Sequence, residues 1–373
     1  MKLSDIYSSQ DFFKLEKSHI FEKYWIYFCQ ASFLKKNNDT FSRNVCGNPV
    51  SVRNTGDKLI AFENICAHRK ATIFFEEHSN RPFSCKYHGW VYDKEAVLYK
   101  IPNSQIYEFT SQQVEKCGKL KRYSVKILGN MVFINLSPNP IPIEEQFHDE
   151  FLSQIVESSG HFDDSVTSTS WQAKYNWKLN FENVLDWNHV RFVHPNTFAP
   201  LQVGSDIEVD NSQEWKNNTG SEITDLLHRK IDVRDLSYST QSEIKLTDRW
   251  IRKHINRYKN KDIYYNWYIF PNVNYCSIGG DHFLIQQFDP INSISNDFRL
   301  EIVTARRNEL VNFLPLLTAL IEGEKRVIDE DTVFLESQQL NLNNDNLNNY
   351  LQGANEKALL VFKKWLLDNV YGQ

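Results

Sequence analysis

Nowhere in the 373 residues does an apolar run approach the roughly 18 needed to span a bilayer. Residues 1–10 also lack the apolar core of a secretory leader, so a cytoplasmic protein with no membrane partner is expected. An excess of positive charge is missing too. Lys and Arg total 42 against 47 Asp and Glu, a formal −5, which gives no basis for nucleic acid or an anionic membrane surface as partner. Six cysteines are too few to staple a chain of this length. In a reducing compartment Cys29, Cys46, Cys117 and Cys276 read as small buried hydrophobes, and the sequons at Asn38 and Asn218 carry no meaning. There is no internal repeat. What is present is a 41% apolar composition, enough for two substantial cores.

From Asp11 to about Leu34, apolar residues recur at three and four, which predicts short helices packing on a larger body. The texture then changes. Short β-rich runs at 48–53, 58–62, 90–92, 123–128 and 131–136 are punctuated by Gly47, Gly56, Gly89 and Gly129-Asn130, which predicts a small all-β domain. Pro138, Pro140 and Pro142 cannot donate to a ladder and close it. Beyond them, strands at 168–175, 264–270, 275–278, 283–288 and 298–303 mix with helices at 309–339 and 358–369, and an asparagine-rich loop covers 341–349. The expected organisation is α+β: an N-terminal helical segment over 1–38 packing on the last domain, a β domain over 39–142, and an α+β domain over 143–373.

Two tight pairs sit in the β domain: Cys66-x-His68 and Cys85-x-x-His88. A zinc site would use all four on one ion, normally with both cysteines in one pair and both histidines in the other. Here each pair holds one of each, the arrangement of a Rieske [2Fe–2S] cluster, with Cys66 and Cys85 on one iron and His68 and His88 on the other. Such a cluster has a potential of roughly −150 to +300 mV. Arg69, Gly89 and Trp90 follow the histidines, where a small residue lets backbone amides approach sulfur and an indole shields the site.

A second constellation lies at 182–194, where Asp186, His189 and His194 interrupt an apolar run. Asp186 and His189 are three apart and share a helix face, but a regular helix would turn His194 about 140° away from His189. The helix must therefore widen or stop between the two histidines, and Pro195 supplies the stop. Two imidazoles with open space suit divalent iron, copper or zinc, and two histidines with a carboxylate form the pattern of non-haem Fe(II) oxygenases. A further acid can come from 327–336. Val327, Ile328, Phe334 and Leu335 define a helical stripe centred on Asp331, while Glu330 lies at its edge and Glu324, seven residues before Asp331, is a rival. An acid on a buried stripe needs a cation or hydrogen bonds.

With these motifs, C-x-H…C-x-x-H at 66–88 and W-K…E-N-x-x-D-x-x-H-x-x-x-x-H from Trp177 to His194, the chain resembles the oxygenase (alpha) component of the Rieske non-haem iron oxygenases of the aromatic-ring-hydroxylating type. The resemblance covers nearly the whole chain. It implies a Rieske domain inserted into a helix-grip-like α+β catalytic domain with an antiparallel sheet, closed into a homotrimer. It also implies mononuclear Fe(II) on His189, His194 and Asp331, the last in the family's E-D-x-x-x-x-E pattern at Glu330, Asp331 and Glu336. Asp186 would then bridge His88 of a neighbouring subunit to His189, with Asn183 behind it. O2 is the implied co-substrate and a reductase or ferredoxin the electron donor, with NAD(P)H entering only through that reductase. The substrate would be a small organic molecule, with Trp187, Phe192, Trp267, Tyr268 and Phe283 as candidate pocket aromatics. Chain length favours monooxygenation, as hydroxylation or oxidative dealkylation. Ring cis-dihydroxylation is the alternative, and a Rieske electron-transfer or redox-sensing protein without oxygenase activity the reading from another class. Ala67 and Lys70 depart from the Pro and Gly of many members, which bears on the potential and the docking surface rather than on the ligands.

Overall fold

Five consecutive buried residues, Ile26–Gln30, form the first strand, β1, and this already departs from the helices expected up to Leu34. The run is aromatic and β-branched, a composition that packs on a pleated surface, and it pairs antiparallel with a strand over a hundred residues later, Ile26 opposite Ile134. The structure, a computed structural model, describes residues 2–201, 226–246, 249–309, 312–343 and 356–372. It divides into two compact units, residues 21–140 and residues 1–20 with 141–373. The pairing of β1 is why 21–38 belong with the β unit and only the residues before them with the last domain.

In the β unit, β1 is followed by β2 (Thr40–Val45), β3 (Asn48–Asn54), β4 (Leu59–Glu63), β5 (His78–Ser79), β6 (Val91–Tyr92), β7 (Leu98–Lys100), β8 (Arg122–Leu128) and β9 (Met131–Asn135). Seven of them make one antiparallel sheet in the order β1-β9-β8-β4-β3-β2-β5, and β6 and β7 make a separate ribbon. Cys46 and Gly47, at φ 49° and 83°, turn β2 into β3 as a two-residue hairpin of the kind that matches strand twist.

In the other unit, β10 (Phe162–Ala173), β11 (Tyr238–Glu243), β12 (Ile263–Ile269), β13 (Val273–Ile278), β14 (His282–Asn292) and β15 (Ser295–Ala305) form an antiparallel sheet in the order β10-β15-β14-β13-β12-β11. β10 starts six residues earlier than the predicted 168. Its helices include α1 (Gln10–Glu16), α2 (Trp177–Leu185), α3 (Val190–Val193), α4 (Leu314–Leu342) and α5 (Lys357–Leu366). α4 lies on β10 and β15, and α2 on β13 and β14. Residues 344–349 of the asparagine-rich loop, Asn218, and 310–311 of the predicted helix lie outside the described residues.

One buried ion pair ties the ends of the chain to α2. Glu16 accepts from Lys178 Nζ at 2.5 Å, from Trp177 Nε1 at 2.8 Å and from Tyr371 Oη at 2.5 Å, and both charged side chains are all but inaccessible. Removing either member would leave the other charge buried alone, a loss of roughly 3–5 kcal/mol. The Trp177-Lys178 pair of the sequence motif therefore anchors the helix that carries the site.

Candidate metal centres

The two Cys–His loops are built alike. Cys66 N–H bonds the Ala71 carbonyl and Lys70 N–H the Cys66 carbonyl. Cys85 N–H bonds the Trp90 carbonyl and Gly89 N–H the Cys85 carbonyl, all at 2.8 to 3.1 Å. The fifth residue of each loop is left-handed: Gly89 at φ 69°, where glycine is at ease, and Lys70 at φ 59°, where a side chain is strained. The Cys66 and Cys85 thiols lie close enough to act on each other, and the His68 and His88 rings are 4.6 Å apart. Sulfurs meet sulfurs and imidazoles meet imidazoles, as a two-iron cluster requires. Among the described residues, the one group of three or more ligating side chains gathered within 4.8 Å is elsewhere, so these four do not converge on a single ion as zinc would need.

The surroundings fit the cluster. His68 stacks on Trp90 at 4.5 Å, its Nδ1 is buried without a partner, and burial together with His88 and Arg69 holds it below the ordinary imidazole value, in the neutral form that ligates. Ala67 N–H donates to Tyr92 Oη at 2.9 Å, which leaves the phenol proton for Cys66 Sγ at 3.2 Å. No spacing or motif in the sequence marks Tyr92 as part of this site. Cys29, Cys46 and Cys276 are buried as expected, but Cys117 is exposed.

In the other unit, α2 ends at Leu185, and Asp186 is its extended cap at φ −97° and ψ 116°. The predicted shared helix face of Asp186 and His189 is therefore absent. The break falls before His189 because Asp186 Oδ1 accepts the Asn188 N–H at 2.8 Å, a local turn that competes with the helix. The single turn of α3 then carries the two histidines at its ends, rings 5.3 Å apart.

His189, His194 and Asp331 offer ligand atoms within 4.8 Å of one another. Asp331 Oδ1 is 3.0 Å from His194 Nε2 and 3.5 Å from His189 Nε2. The other ring nitrogens are held from behind. Glu330 Oε2 accepts from His194 Nδ1 and from Thr197 Oγ1, each at 2.7 Å, and Asp186 Oδ2 is 3.5 Å from His189 Nδ1. In the neutral tautomer that gives its Nδ1 proton to Glu330, His194 turns an Nε2 lone pair toward a buried carboxylate oxygen that has no hydrogen bond of its own. Two facing acceptors need a cation between them, so the residues fit a divalent metal. Burial would lower the basicity of His194, but Asp331 and Glu330 outweigh it and hold the imidazole above its ordinary value. Burial would likewise raise Asp186, yet His189 and the Asn188 amide bring it below the usual carboxylate range. Glu330, placed at the stripe's edge by its spacing, thus acts through His194.

The centre opens into a pocket of about 610 Å³ including its mouth. One sheet face supplies Tyr264, Asn266, Asn274, Cys276, Leu284 and Gln286, spaced by two along three strands. α4 supplies Glu324, Val327, Ile328 and Asp331, at i, i+3, i+4 and i+7. Asn183, Trp187 and Phe198 complete the wall. Of the expected aromatics only Trp187 lines it. Tyr268 stands behind and accepts the Trp187 Nε1 proton at 3.1 Å, Phe192 is 78% exposed, and Trp267 and Phe283 pack in the core on the opposite face.

Residues 162–372 match the ring hydroxylating alpha subunit (catalytic domain) family, and residues 24–116 the Rieske [2Fe-2S] domain. The large subunit of anthranilate 1,2-dioxygenase from Acinetobacter baylyi is 30% identical over 62% of this chain and 48% of its own length. The oxygenase subunit of carnitine monooxygenase from Acinetobacter pittii is 28% identical over 53% of each chain. The matches thus span about half the length of these curated relatives. Among solved structures, a quaternary ammonium Rieske monooxygenase superposes with a TM-score of 0.78 at 18% identity, covering 98% of this chain and 94% of the other, a likeness of fold. The family match spans more than half of the chain and agrees with both candidate sets of metal ligands: the chain belongs to the ring-hydroxylating alpha-subunit family of Rieske non-haem iron oxygenases.

Proposed function

We propose that the chain is a terminal oxygenase, taking electrons from a separate reductase or ferredoxin at Cys66, His68, Cys85 and His88 and oxidising a small organic substrate with O2 in the pocket beside His189, His194 and Asp331. The convergence of those last three side chains carries the reading, because a Rieske electron-transfer protein has no use for a second metal site. A bound Fe(II) would supply O2 activation at positions the three ligands leave open. The chain's part is to hold that ion and orient the substrate. Glu330 and Asp186 fix which nitrogen of each imidazole faces the metal.

Asp186 has a second role in this reading. Its carboxylate behind His189 is the group that would accept a hydrogen bond from His88 of a neighbouring subunit in a homotrimer, joining the two metal sites, with Asn183 beneath it through the bond from Asp186 N–H to the Asn183 carbonyl at 3.1 Å. Monooxygenation is the proposed outcome. Iron and sulfide analysis tests the site: about three irons per chain with acid-labile sulfide supports the oxygenase, about two leaves electron transfer alone, and zinc without sulfide removes both. Turnover under ¹⁸O2 then reads one or two labelled oxygens in the product, which separates monooxygenation from cis-dihydroxylation.

A further inference from the structure

Four carboxylates surround the pocket's inner end, and three have duties. Asp331 faces both imidazoles, while Asp186 and Glu330 each stand behind one. Glu324, two turns before Asp331 on the same face of α4, has none. Among the described residues it has no hydrogen-bond or ion-pair partner, and burial pushes its carboxyl up to about 7, with His194 drawing it back. An acid left alone on an apolar wall is costly unless something brings it a counter-charge. The iron's own charge is already met by Asp331 and the acids behind the histidines.

Next to Glu324 stands a corner of three rings. Tyr264 meets Trp187 edge-on at 5.6 Å and Phe198 at 5.3 Å, and Trp187 and Phe198 are 6.3 Å apart. Glu324, Tyr264 and Cys276 line the same pocket, and the charge of Glu324 acts on both the phenol and the thiol. Three of the polar donors around the corner are spoken for: Trp187 Nε1 by Tyr268, Asn266 Nδ2 by Tyr268 Oη at 2.9 Å, and Asn274 Nδ2 by Asn266 Oδ1 at 2.6 Å. What the corner still offers is ring faces, whose negative quadrupoles attract cations. Among the described lining residues there is no Lys or Arg, so nothing answers an anionic substrate.

We propose that the pocket takes a small aliphatic ammonium, its charge seated between the Glu324 carboxylate and the Trp187–Phe198–Tyr264 corner. This rests on the pocket being the oxygenase's substrate site. Glu324 and the three rings are then specificity-determining residues that bind the substrate's charged end, away from the oxidised carbon.

The test is calorimetric titration of the anaerobic, iron-loaded holoenzyme with three probes: choline, its uncharged isostere 3,3-dimethylbutan-1-ol, and benzoate. Choline should bind at least roughly tenfold more tightly than the isostere, with no saturable binding of benzoate. Glu324→Gln and Tyr264→Leu should each weaken choline roughly tenfold and leave the isostere unchanged, in variants that retain wild-type iron content and cluster absorbance. Equal binding of choline and isostere, tighter binding of benzoate, or no saturable choline binding in the millimolar range would overturn the proposal. Binding needs no turnover. A protein that selects choline but consumes no O2 with any substrate loses the oxygenase reading and keeps only the ammonium-binding site, whereas one that oxidises only neutral or anionic compounds keeps the oxygenase and loses the ammonium site.

Discussion

Tyr92→Phe isolates one hydrogen bond at the cluster and turns it into a voltage. Tyr92 Oη lies 3.2 Å from Cys66 Sγ and accepts from Ala67 N–H at 2.9 Å; a cluster-bound Cys66 would be a thiolate, which can only accept, so the phenol is the donor. With two ferric ions, two sulfides and two thiolates the oxidised cluster is neutral, and reduction adds one negative charge shared with the thiolate sulfurs. The bond is therefore an ordinary one before reduction, about 0.5–1.5 kcal/mol, and a charge-assisted one after it, about 1.5–3 kcal/mol. The difference, about 1.4 kcal/mol, is a factor of ten, or about 59 mV for one electron. Its sign follows: the donor favours the reduced form, so its removal should lower the potential by on the order of 50 mV. Potentiometric titration followed by the cluster's visible absorbance or circular dichroism reads this directly. The same change strips the half-buried Ala67 N–H of its acceptor and should cost roughly 1 kcal/mol of stability. A loss of stability with an unchanged or raised potential would refute the electrostatic argument and leave Tyr92 a packing residue.

Three further changes probe the other side chains. Glu330→Gln should weaken Fe(II) binding roughly 10–100-fold, read by metal titration, because His194 loses the acceptor that fixes its tautomer, while the cluster spectrum stays unchanged. Asp186→Asn should keep both metal sites loaded and abolish most O2-coupled turnover; turnover at the wild-type rate would remove Asp186 from the electron path. Lys70→Gly should raise the unfolding free energy by up to about 1 kcal/mol, since the left-handed backbone there strains any side chain and glycine's entropy loss offsets only part of the relief. A drop in denaturation midpoint would instead show that the lysine makes a contact worth more than the strain.

The chemistry-bearing parts were legible because metal ligation demands particular residue types at short spacing. The Cys–His pairs and the stripe around Asp331 needed no tertiary information, and the strand expectations for 263–305 hold to within a few residues, apart from the fuller extent of β14 and β15. Two failures have definite causes. Ile26–Gln30 continues a helical spacing from Phe12 onward, and only its pairing with Met131–Asn135 makes it a strand. The pocket aromatics were misassigned because β12 and β13 are buried on both faces and carry no alternation to show which parity faces the site. Tyr264 and Trp267 differ by three residues, hence by one face, and nothing local distinguishes them.

Glu324 is visible in the sequence as a rival to Asp331 because both fall on one stripe, but spacing cannot show that Asp331 alone of the two gathers with His189 and His194. The helical rise separates their backbone positions by about 10.5 Å along α4. His194 still acts on Glu324 across that gap, so a metal at Asp331 and a cation at Glu324 would repel each other and favour a substrate that keeps them apart. A substrate whose ammonium rests in the Trp187–Phe198–Tyr264 corner must span much of that distance to present a C–H bond beside His189 and His194. Extended ammonium compounds should accordingly turn over better than compact ones of equal charge. A series of ω-substituted trimethylammonium alkanes, compared by kcat/KM, would show a rise with chain length up to the pocket's reach. A maximum at the shortest member would place the cation beside the metal, and Glu324 would lose its role as the distant anchor.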